Sequence, residues 1–260
     1  VENEKNKNFE NTYREILDIS KKRSEYFEPK DPIKMPLRWD NSLDNIIEDN
    51  INEVSLNFVE DYDKFLYYVK NNSVKLIANT KYINTNQLLE INNMLLNKKV
   101  FQSIINVRQI DIPLIHIFYK FSLCYNILTI EKNILKPYLK FEEFVSLDEF
   151  EKLGLFIDYI WNTLSWNELS NTYYDKIEQD YRFEIIENLN ALDINITYDY
   201  NEIKYKEIET PIFDEYILMY FDYMGLISYK GTSISLSSLG KHVFNIIKEN
   251  LQGVTGYGCS

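Results

Sequence analysis

The stretch MGLISYKGTSISLSSLGK, residues 224–241, decides the fold. Gly225 is the residue type that ends a helix in a left-handed turn. Two short runs containing isoleucine and leucine flank Lys230-Gly231, which predicts a β-hairpin over residues 226–236. Ser238 then follows as the cap of a final helix. The stretch therefore predicts a helix, a hairpin and a second helix in close succession.

The same order of elements occurs earlier in the chain. Ile112-Pro113 and Thr210-Pro211 each place a proline at the start of a predicted helix, where its missing N–H costs nothing. A hairpin around Lys132-Asn133 follows the first of these helices. Residues 112–135 and 210–236 align when a shift of one residue is allowed, which indicates an internal repeat. The alternative is two unrelated helix–hairpin units.

Local patterns predict the remaining elements. Apolar residues at helical spacing predict helices over residues 9–26, 42–56, 61–70 and 181–192. Strands are predicted over residues 73–78 and 202–208. Capping boxes are predicted at Asn84 with Gln87 and at Ser146 with Glu149, the second opening a long helix to about Trp166.

Three pieces of the C-terminal third resemble the second half of winged-helix domains: Met224–Ile227, Lys230-Gly231 and Leu236–Lys241. In those domains a helix leads into a two-stranded wing. The next helix starts with a leucine, threonine, x, x, glycine pattern, in which Ser237 here replaces the threonine.

Residues from about 73 to 166 are similar to the C-terminal region of the plasmid pRiA4b ORF-3-like proteins. The similar pieces are Lys75–Thr80, Leu88–Asn92 and Pro113–Tyr119. This resemblance implies a winged-helix architecture more than an activity. The N-terminal domain typical of that family is not evident.

We therefore predict a mainly α fold with small β-hairpins, arranged as tandem winged-helix-like modules after an N-terminal helical segment. The predicted units are the helical segment with a proline-containing connector (1–60), a first module (61–170), a second module (171–252) and a flexible tail (253–260).

The chain has a net charge of −12 but contains one basic island. Residues 71–110 carry five basic residues against a single acid, Glu90. The basic residues are Lys75, Lys81, Lys98, Lys99 and Arg108. They are candidates for nucleic-acid binding, because affinity for a phosphate backbone comes from such cations. The alternative is a solvated surface that pairs with acidic segments elsewhere in the chain.

A winged helix that reads DNA places its third helix in the major groove. The corresponding segments here are residues 112–126 and 211–224. Of the basic and amide side chains that such a helix needs, the first segment offers only His116, Lys120 and Asn126. The second contains Asp214, Glu215 and Asp222 and no basic residue. Because phosphates repel an acidic helix, groove recognition by the second module is disfavoured.

Catalytic motifs are not evident in the sequence. His116 and His242 lie far apart, no histidine or cysteine pair has zinc spacing, and no phosphate loop or nucleophile elbow occurs. We expect no cofactor. An enzyme with an unrecognised acidic site is left as a third hypothesis.

Two cysteines, Cys124 and Cys259, suit a reducing compartment, and no apolar run reaches membrane-spanning length. We expect a cytoplasmic protein without a membrane partner. Aromatic side chains such as Trp161, Trp166 and Tyr220 are expected in the core, or at a protein interface where they are exposed. The leading hypothesis is a non-enzymatic interaction or regulatory module that binds a protein partner or a second copy. The alternative is a transcriptional regulator that binds nucleic acid through residues 71–110.

Overall fold

Helices dominate the protein, and two small antiparallel sheets accompany them, which confirms the predicted mainly α class. The computed structural model describes residues 41–166, 169, 182–203 and 213–255. All of them belong to one unit, Trp39–Ser260. The predicted helix over residues 9–26, the prolines of the predicted connector and the Thr210-Pro211 start of a predicted helix lie outside the described residues.

The first half of the described chain builds one sheet and the helices around it. Its helices are α1 (Asn41–Asn50), α2 (Glu53–Asn71), α3 (Thr85–Met94), α4 (Pro113–Cys124), α5 (Phe141–Val145) and α6 (Glu149–Asp158). Its strands are β1 (Val74–Lys75), β2 (Leu128–Glu131) and β3 (Ile134–Pro137), which pair in the order β1-β3-β2. A 3₁₀ turn (Gln109–Asp111) precedes α4, and a π-helical turn (Tyr159–Thr163) follows α6.

The second half repeats this plan. Its helices are α7 (Arg182–Asn190), α8 (Tyr200–Ile203), α9 (Leu218–Tyr223) and α10 (Ser238–Thr255). Its strands are β4 (Thr197–Asp199), β5 (Ile227–Lys230) and β6 (Ser233–Leu236), which pair in the order β4-β6-β5. A π-helical turn (Phe213–Ile217) leads into α9.

Equivalent backbone hydrogen bonds recur in the two halves at a spacing of 99 residues. Ile127 donates to Ser122, and Leu226 donates to Phe221 at the same distance of 2.9 Å. Asn126 and Gly225, one residue earlier in each half, both have positive φ. The second half has one more residue between its proline and its hairpin. The π-helical turn accommodates the extra residue, because its hydrogen bonds join residues five apart, whereas those of an α-helix join residues four apart.

Two predicted helices had wrong boundaries. The sequence predicted helices over residues 42–56 and 61–70, but α1 ends at Asn50 and α2 runs without interruption over residues 53–71. Asn52 adopts extended backbone angles, and its side chain accepts the Ser55 N–H at 3.0 Å. An N-cap at this position starts a new helix, a feature that apolar spacing alone does not reveal.

Other local predictions were also corrected. The capping box of α6 pairs Asp148 with Glu151, not Ser146 with Glu149, and the α-helix ends at Asp158. The strand predicted over residues 73–78 is limited to Val74–Lys75. The first two residues of the strand predicted over residues 202–208 belong instead to α8, and the observed strand β4 lies before them at Thr197–Asp199.

Helix α4 lies at the centre of the first half. Phe118 and Phe121 pack among Phe58, Tyr62 and Phe156, and the rings of Phe121 and Phe156 stack with centroids 3.8 Å apart. Burying each such side chain contributes about 1.5–3 kcal/mol. The central position of α4 therefore supplies much of the core and removes this helix from the surface.

The turn after α9 packs directly on the start of α2. The Asn52 amide donates to the Gly225 carbonyl at 3.0 Å, and the Ser55 hydroxyl donates to the Met224 carbonyl at 2.7 Å. Gly225 has φ +70°, and a Cβ there would lie 2.4 Å from the Asn52 Oδ1 atom. Glycine is therefore required both for the backbone angle and for this contact between the two halves.

The residues that resemble the winged-helix pattern also have a structural reason. Ser237, not Ser238 as predicted, caps α10: its Oγ accepts the Gly240 N–H at 2.9 Å. The same hydroxyl lies 2.7 Å from the Gly225 carbonyl. A Cβ at Gly240 would lie 1.9 Å from the Leu226 carbonyl oxygen. The hydroxyl and the glycine thus let α10 begin against the turn that starts the hairpin.

Candidate functional site

The helix that would enter a DNA groove is buried in the first half. No residue of α4 is exposed, and eight of its twelve residues are buried. His116 is buried with its Nδ1 3.4 Å from the Gln109 amide nitrogen, and Asn126 occupies a left-handed turn. A helix enclosed in this way does not present side chains to base edges.

The equivalent helix of the second half is also enclosed. None of the side chains described between residues 213 and 224 is exposed. Asp214 accepts the Tyr200 hydroxyl at 2.6 Å, and Asp222 accepts the Tyr229 N–H at 2.9 Å. Burial raises the pKa of Asp222, an effect that this backbone hydrogen bond partly offsets. These two acids therefore accept hydrogen bonds within the fold at positions where a DNA reader would need bases.

The conspicuous aromatic residues do not form a surface patch. Trp161, Trp166, Tyr220 and Phe221 are all buried. Arg182 stacks on Trp166 at 4.6 Å, and burial lowers the pKa of this guanidinium to about 10. The aromatic anchors that the sequence suggested for an interface, where exposed, are thus part of the core.

Two of the basic-island residues lie at the first hairpin. Lys75 is in β1 opposite Ile134, and the Lys81 ammonium donates to Asn133 Oδ1 in the hairpin turn at 2.7 Å. Both lysines are exposed. The structure therefore places this part of the island beside the β2–β3 turn.

The other three basic residues lie between α3 and α4. Arg108 forms an ion pair with Asp111 at 3.2 Å, and this hydrogen-bonded partner raises the Arg108 pKa. Lys98 and Lys99 are exposed. Arg108 is thus largely committed to its own neighbour, whereas the two lysines face solvent.

A buried acid that the sequence analysis did not single out holds the chain that carries these lysines. Asp61 on α2 is fully buried, and its carboxylate accepts the N–H groups of Leu96 and Asn97 at 2.5 and 2.9 Å. It also accepts the Asn97 side-chain amide at 3.0 Å. The sequence does contain a signal for this role, because Asp61 lies within the apolar stripe of a predicted helix. An acid buried there requires hydrogen-bond donors.

A second buried side chain fixes the same segment. Asn92 at the end of α3 accepts the Lys99 N–H and donates to the Lys99 carbonyl, each at 2.9 Å. Charge-assisted bonds from Asp61 and the paired bonds from Asn92 together position the backbone on both sides of Lys98. The lysine pair is therefore presented on an ordered backbone.

Exposed aliphatic side chains lie close to the lysine pair in sequence. Among the residues that the structure describes, fourteen large hydrophobic side chains are exposed, and four of them lie within residues 95–107. Val100, Ile104 and Ile105 are 85, 64 and 78 % exposed. We call residues 95–107 the basic–aliphatic loop. A cluster of this kind is typical of a binding surface, since folded proteins otherwise expose apolar residues singly.

Metal-binding groups and histidines were the remaining candidates for chemistry in the sequence. No group of three or more histidine, cysteine, aspartate or glutamate side chains among them could hold a metal ion. His242 is exposed on α10, far in sequence from the buried His116. None of the described helices is long and apolar enough to cross a membrane.

Comparison with known proteins gives no relative. No family model matches the chain, and neither a curated protein nor a solved structure is similar to it. The similarity to winged-helix domains and to the plasmid pRiA4b ORF-3-like proteins therefore stays a prediction.

Proposed function

We propose that the chain is a non-enzymatic protein-interaction module with a regulatory role, built on two winged-helix units. The order of elements supports the winged-helix proposal. Residues 53–137 form helix, strand, helix, helix, strand and strand, with strand order β1-β3-β2, and the second half repeats that strand order. In this architecture the β2–β3 and β5–β6 hairpins are the wings.

The observation that carries the proposal is the burial of both third helices. A DNA-reading winged helix needs that helix exposed, with donors and acceptors that reach base edges. Here no residue of α4 is exposed, and the acids around α9 bond to neighbouring groups of the fold. The scaffold is therefore available for contacts with other surfaces, not for groove recognition.

The basic–aliphatic loop is the proposed contact surface. Its exposed aliphatic side chains gain free energy only when a partner covers them. Asp61 and Asn92 already fix the backbone of residues 96–99, so ordering this part of the loop on binding costs less conformational entropy than it would for an unrestrained segment. Lys98 and Lys99 add a preference for an acidic partner surface.

Site-specific photo-cross-linking tests this proposal. A benzophenone amino acid replaces Ile104 in the loop, and the matched control carries it at Ile196, which is 50 % exposed in the second half. We expect nuclease-resistant protein adducts at position 104 and few at position 196, with a lower yield after Lys98→Glu with Lys99→Glu. Equal yields at the two positions, or adducts that nuclease removes, would contradict the proposal.

Nucleic-acid binding through the basic island is the second candidate. It is favoured by Lys75, Lys98 and Lys99, which are exposed and form no ion pair within the described residues. This candidate predicts a salt-sensitive affinity for duplex DNA. The aliphatic residues between the basic ones argue against it, since Val100 and Ile104 offer nothing to a phosphate backbone.

A further inference from the structure

Strand β2 leaves one edge of the first sheet open. In a hairpin with a two-residue turn, the pair beside the turn exchanges hydrogen bonds, and bonded and unbonded pairs then alternate along the strands. Glu131 and Ile134 are the pair beside the turn. The N–H and C=O groups of the next residue, Ile130, therefore point away from β3. Within the described residues, the Ile130 N–H donates no hydrogen bond.

The equivalent edge of the second half is closed by an acid. Positions 99 residues apart are equivalent in the two hairpins, so Tyr229 corresponds to Ile130 and Asp222 to Leu123. The Tyr229 N–H points outward in the same way, and the Asp222 carboxylate accepts it at 2.9 Å. The Leu123 side chain contains no acceptor. The first half thus lacks the group that blocks strand addition in the second half.

The chain itself covers the other edge of the first sheet. The Ile77 N–H, just after β1, donates to the Tyr82 carbonyl at 2.8 Å, and the Asn84 N–H donates to the Lys75 carbonyl at 3.0 Å. An unpaired sheet edge is a template for an extended polypeptide, whose main-chain groups complete the ladder. In this sheet that template is β2.

Apolar side chains lie beside the open edge. Leu123 and Ile130 are half-buried and pack against the hydrophobic core. Because side chains alternate between the two faces of a strand, the residue of an added strand that lies opposite Ile130 turns to the same face. That residue would cover the exposed part of Leu123 and Ile130. An apolar side chain is therefore favoured at this position.

Two lysines give the turn end of this edge a positive charge. Lys132 is the first turn residue after β2, and the Lys81 ammonium donates to Asn133 Oδ1 in the same turn at 2.7 Å. Both lysines are exposed, and neither forms an ion pair within the described part of the chain. The acid of β2, Glu131, is already paired with Lys136. The turn therefore favours carboxylates in a partner.

We propose that β2 binds an extended segment of a partner protein, which adds to the sheet as a further antiparallel strand. The partner residue opposite Ile130 accepts its N–H and donates to its C=O, and an apolar side chain there packs on Leu123. A strand antiparallel to β2 runs from the turn towards the base of the hairpin. Acids that precede the apolar residue therefore pass Lys132 and Lys81. This inference goes beyond the proposed function, because it uses no residue of the basic–aliphatic loop.

Amide NMR spectroscopy of the full chain tests the open edge and its occupant. In the free chain we expect the Ile130 amide to exchange with solvent much faster than the Tyr229 amide, which Asp222 protects. The probe is the peptide acetyl-Asp-Glu-Thr-Val-Thr-amide, and it should cause a saturable shift of the Ile130 amide signal. The same peptide with an N-methylated valine lacks the N–H that donates to Ile130. It should bind at least about tenfold more weakly.

Leu123→Asp introduces the acid that closes the edge in the second half. It should abolish the shift that the peptide causes. The matched control Leu123→Ala removes apolar contacts without supplying an acceptor, so it should retain weakened binding. Lys81→Glu with Lys132→Glu should lower the affinity for the peptide by about tenfold. Lys98→Glu with Lys99→Glu makes the same change in charge elsewhere and should leave the affinity unchanged.

A probe that leaves the Ile130 signal unshifted, equal binding of the two peptides, or equal exchange of the Ile130 and Tyr229 amides overturns the inference. Ile130 shifts that follow protein concentration without peptide also overturn it, because a second copy then occupies the edge. If Leu123→Asp does not fold, the N-methylated peptide still decides whether backbone hydrogen bonds hold the probe. Photo-cross-linking at Ile104 is independent of these outcomes, so failure here leaves the proposed function standing.

Discussion

Gly225→Ala should be far more destabilising than a typical glycine substitution, because it disrupts the contact between the two halves. Gly225 has φ +70°, and an added Cβ would lie 2.4 Å from Asn52 Oδ1 and 2.7 Å from Ser55 Oγ. Asn52 caps α2 by accepting the Ser55 N–H, and the Asn52 and Ser55 side chains donate to the carbonyls of Gly225 and Met224. The extra methyl group therefore displaces the cap of one half and the turn of the other.

Gly231→Ala supplies the matched control. Gly231 has φ +63°, but nothing lies within 4 Å of a Cβ added there. Gly231→Ala costs the left-handed backbone penalty of about 1–2 kcal/mol. This loss of stability is reduced by roughly 0.5 kcal/mol, because alanine also lowers the conformational entropy of the unfolded chain. At Gly225 the loss of the Asn52 hydrogen bond and of the helix cap adds about 1 kcal/mol each. We expect the two variants to differ by about 2 kcal/mol.

Urea unfolding of the wild type and both variants measures this difference as a change in midpoint at constant slope. Asn52→Ala provides a further check, because it removes one of the two side chains that the new methyl group meets. In that background Gly225→Ala should cost less than it does in the wild type, but still more than Gly231→Ala, because the close approach to Ser55 Oγ at 2.7 Å remains. Equal destabilisation by the two glycine substitutions in the wild-type background would refute the contact between the halves.

Three further outcomes follow from the hydrogen bonds. Ser237→Ala removes the cap of α10 and should cost about 1 kcal/mol in the same unfolding assay, whereas no loss would mean that Ser238 is the cap. Asp61→Asn places an amide against the Asn97 N–H. It should cost about 1–3 kcal/mol and speed hydrogen exchange there, and unchanged exchange would remove Asp61 as the support of the loop. Burial raises the Asp222 pKa, so the folded state binds this proton more tightly and the ionised carboxylate costs stability at neutral pH. Asp222→Asn should therefore gain stability over the wild type at about pH 7, and this gain should shrink as the pH falls through the raised pKa, a trend that unfolding curves at several pH values would check.

The repeat and its hairpins were predictable because short-range chemistry determines them. Gly225 and Lys132-Asn133 take positive φ, as turn residues do, and the shift of one residue was visible in the sequence. The boundary between α1 and α2 was not predicted. Its signal is Asn52, and the apolar residues on either side of it continue at helical spacing.

The candidate site was only partly predictable. The basic residues stand out in the composition, and Lys98-Lys99 proved to be exposed. Their support was missed because the bonds from Asp61 join residues 35 and 36 positions apart in sequence, a pairing that no local pattern encodes. The burial of α4 likewise depends on packing from α2 and α6, since its own sequence would suit either a core or a partly covered helix.

Titration of random duplex DNA with the purified chain, at low and at moderate salt, tests the central claim most directly. With both third helices enclosed and a net charge of −12, we expect weak binding that Lys98→Glu with Lys99→Glu does not change. Tight binding that falls steeply with salt in the wild type, and is abolished in that variant, would contradict the account and establish the basic island as a nucleic-acid surface.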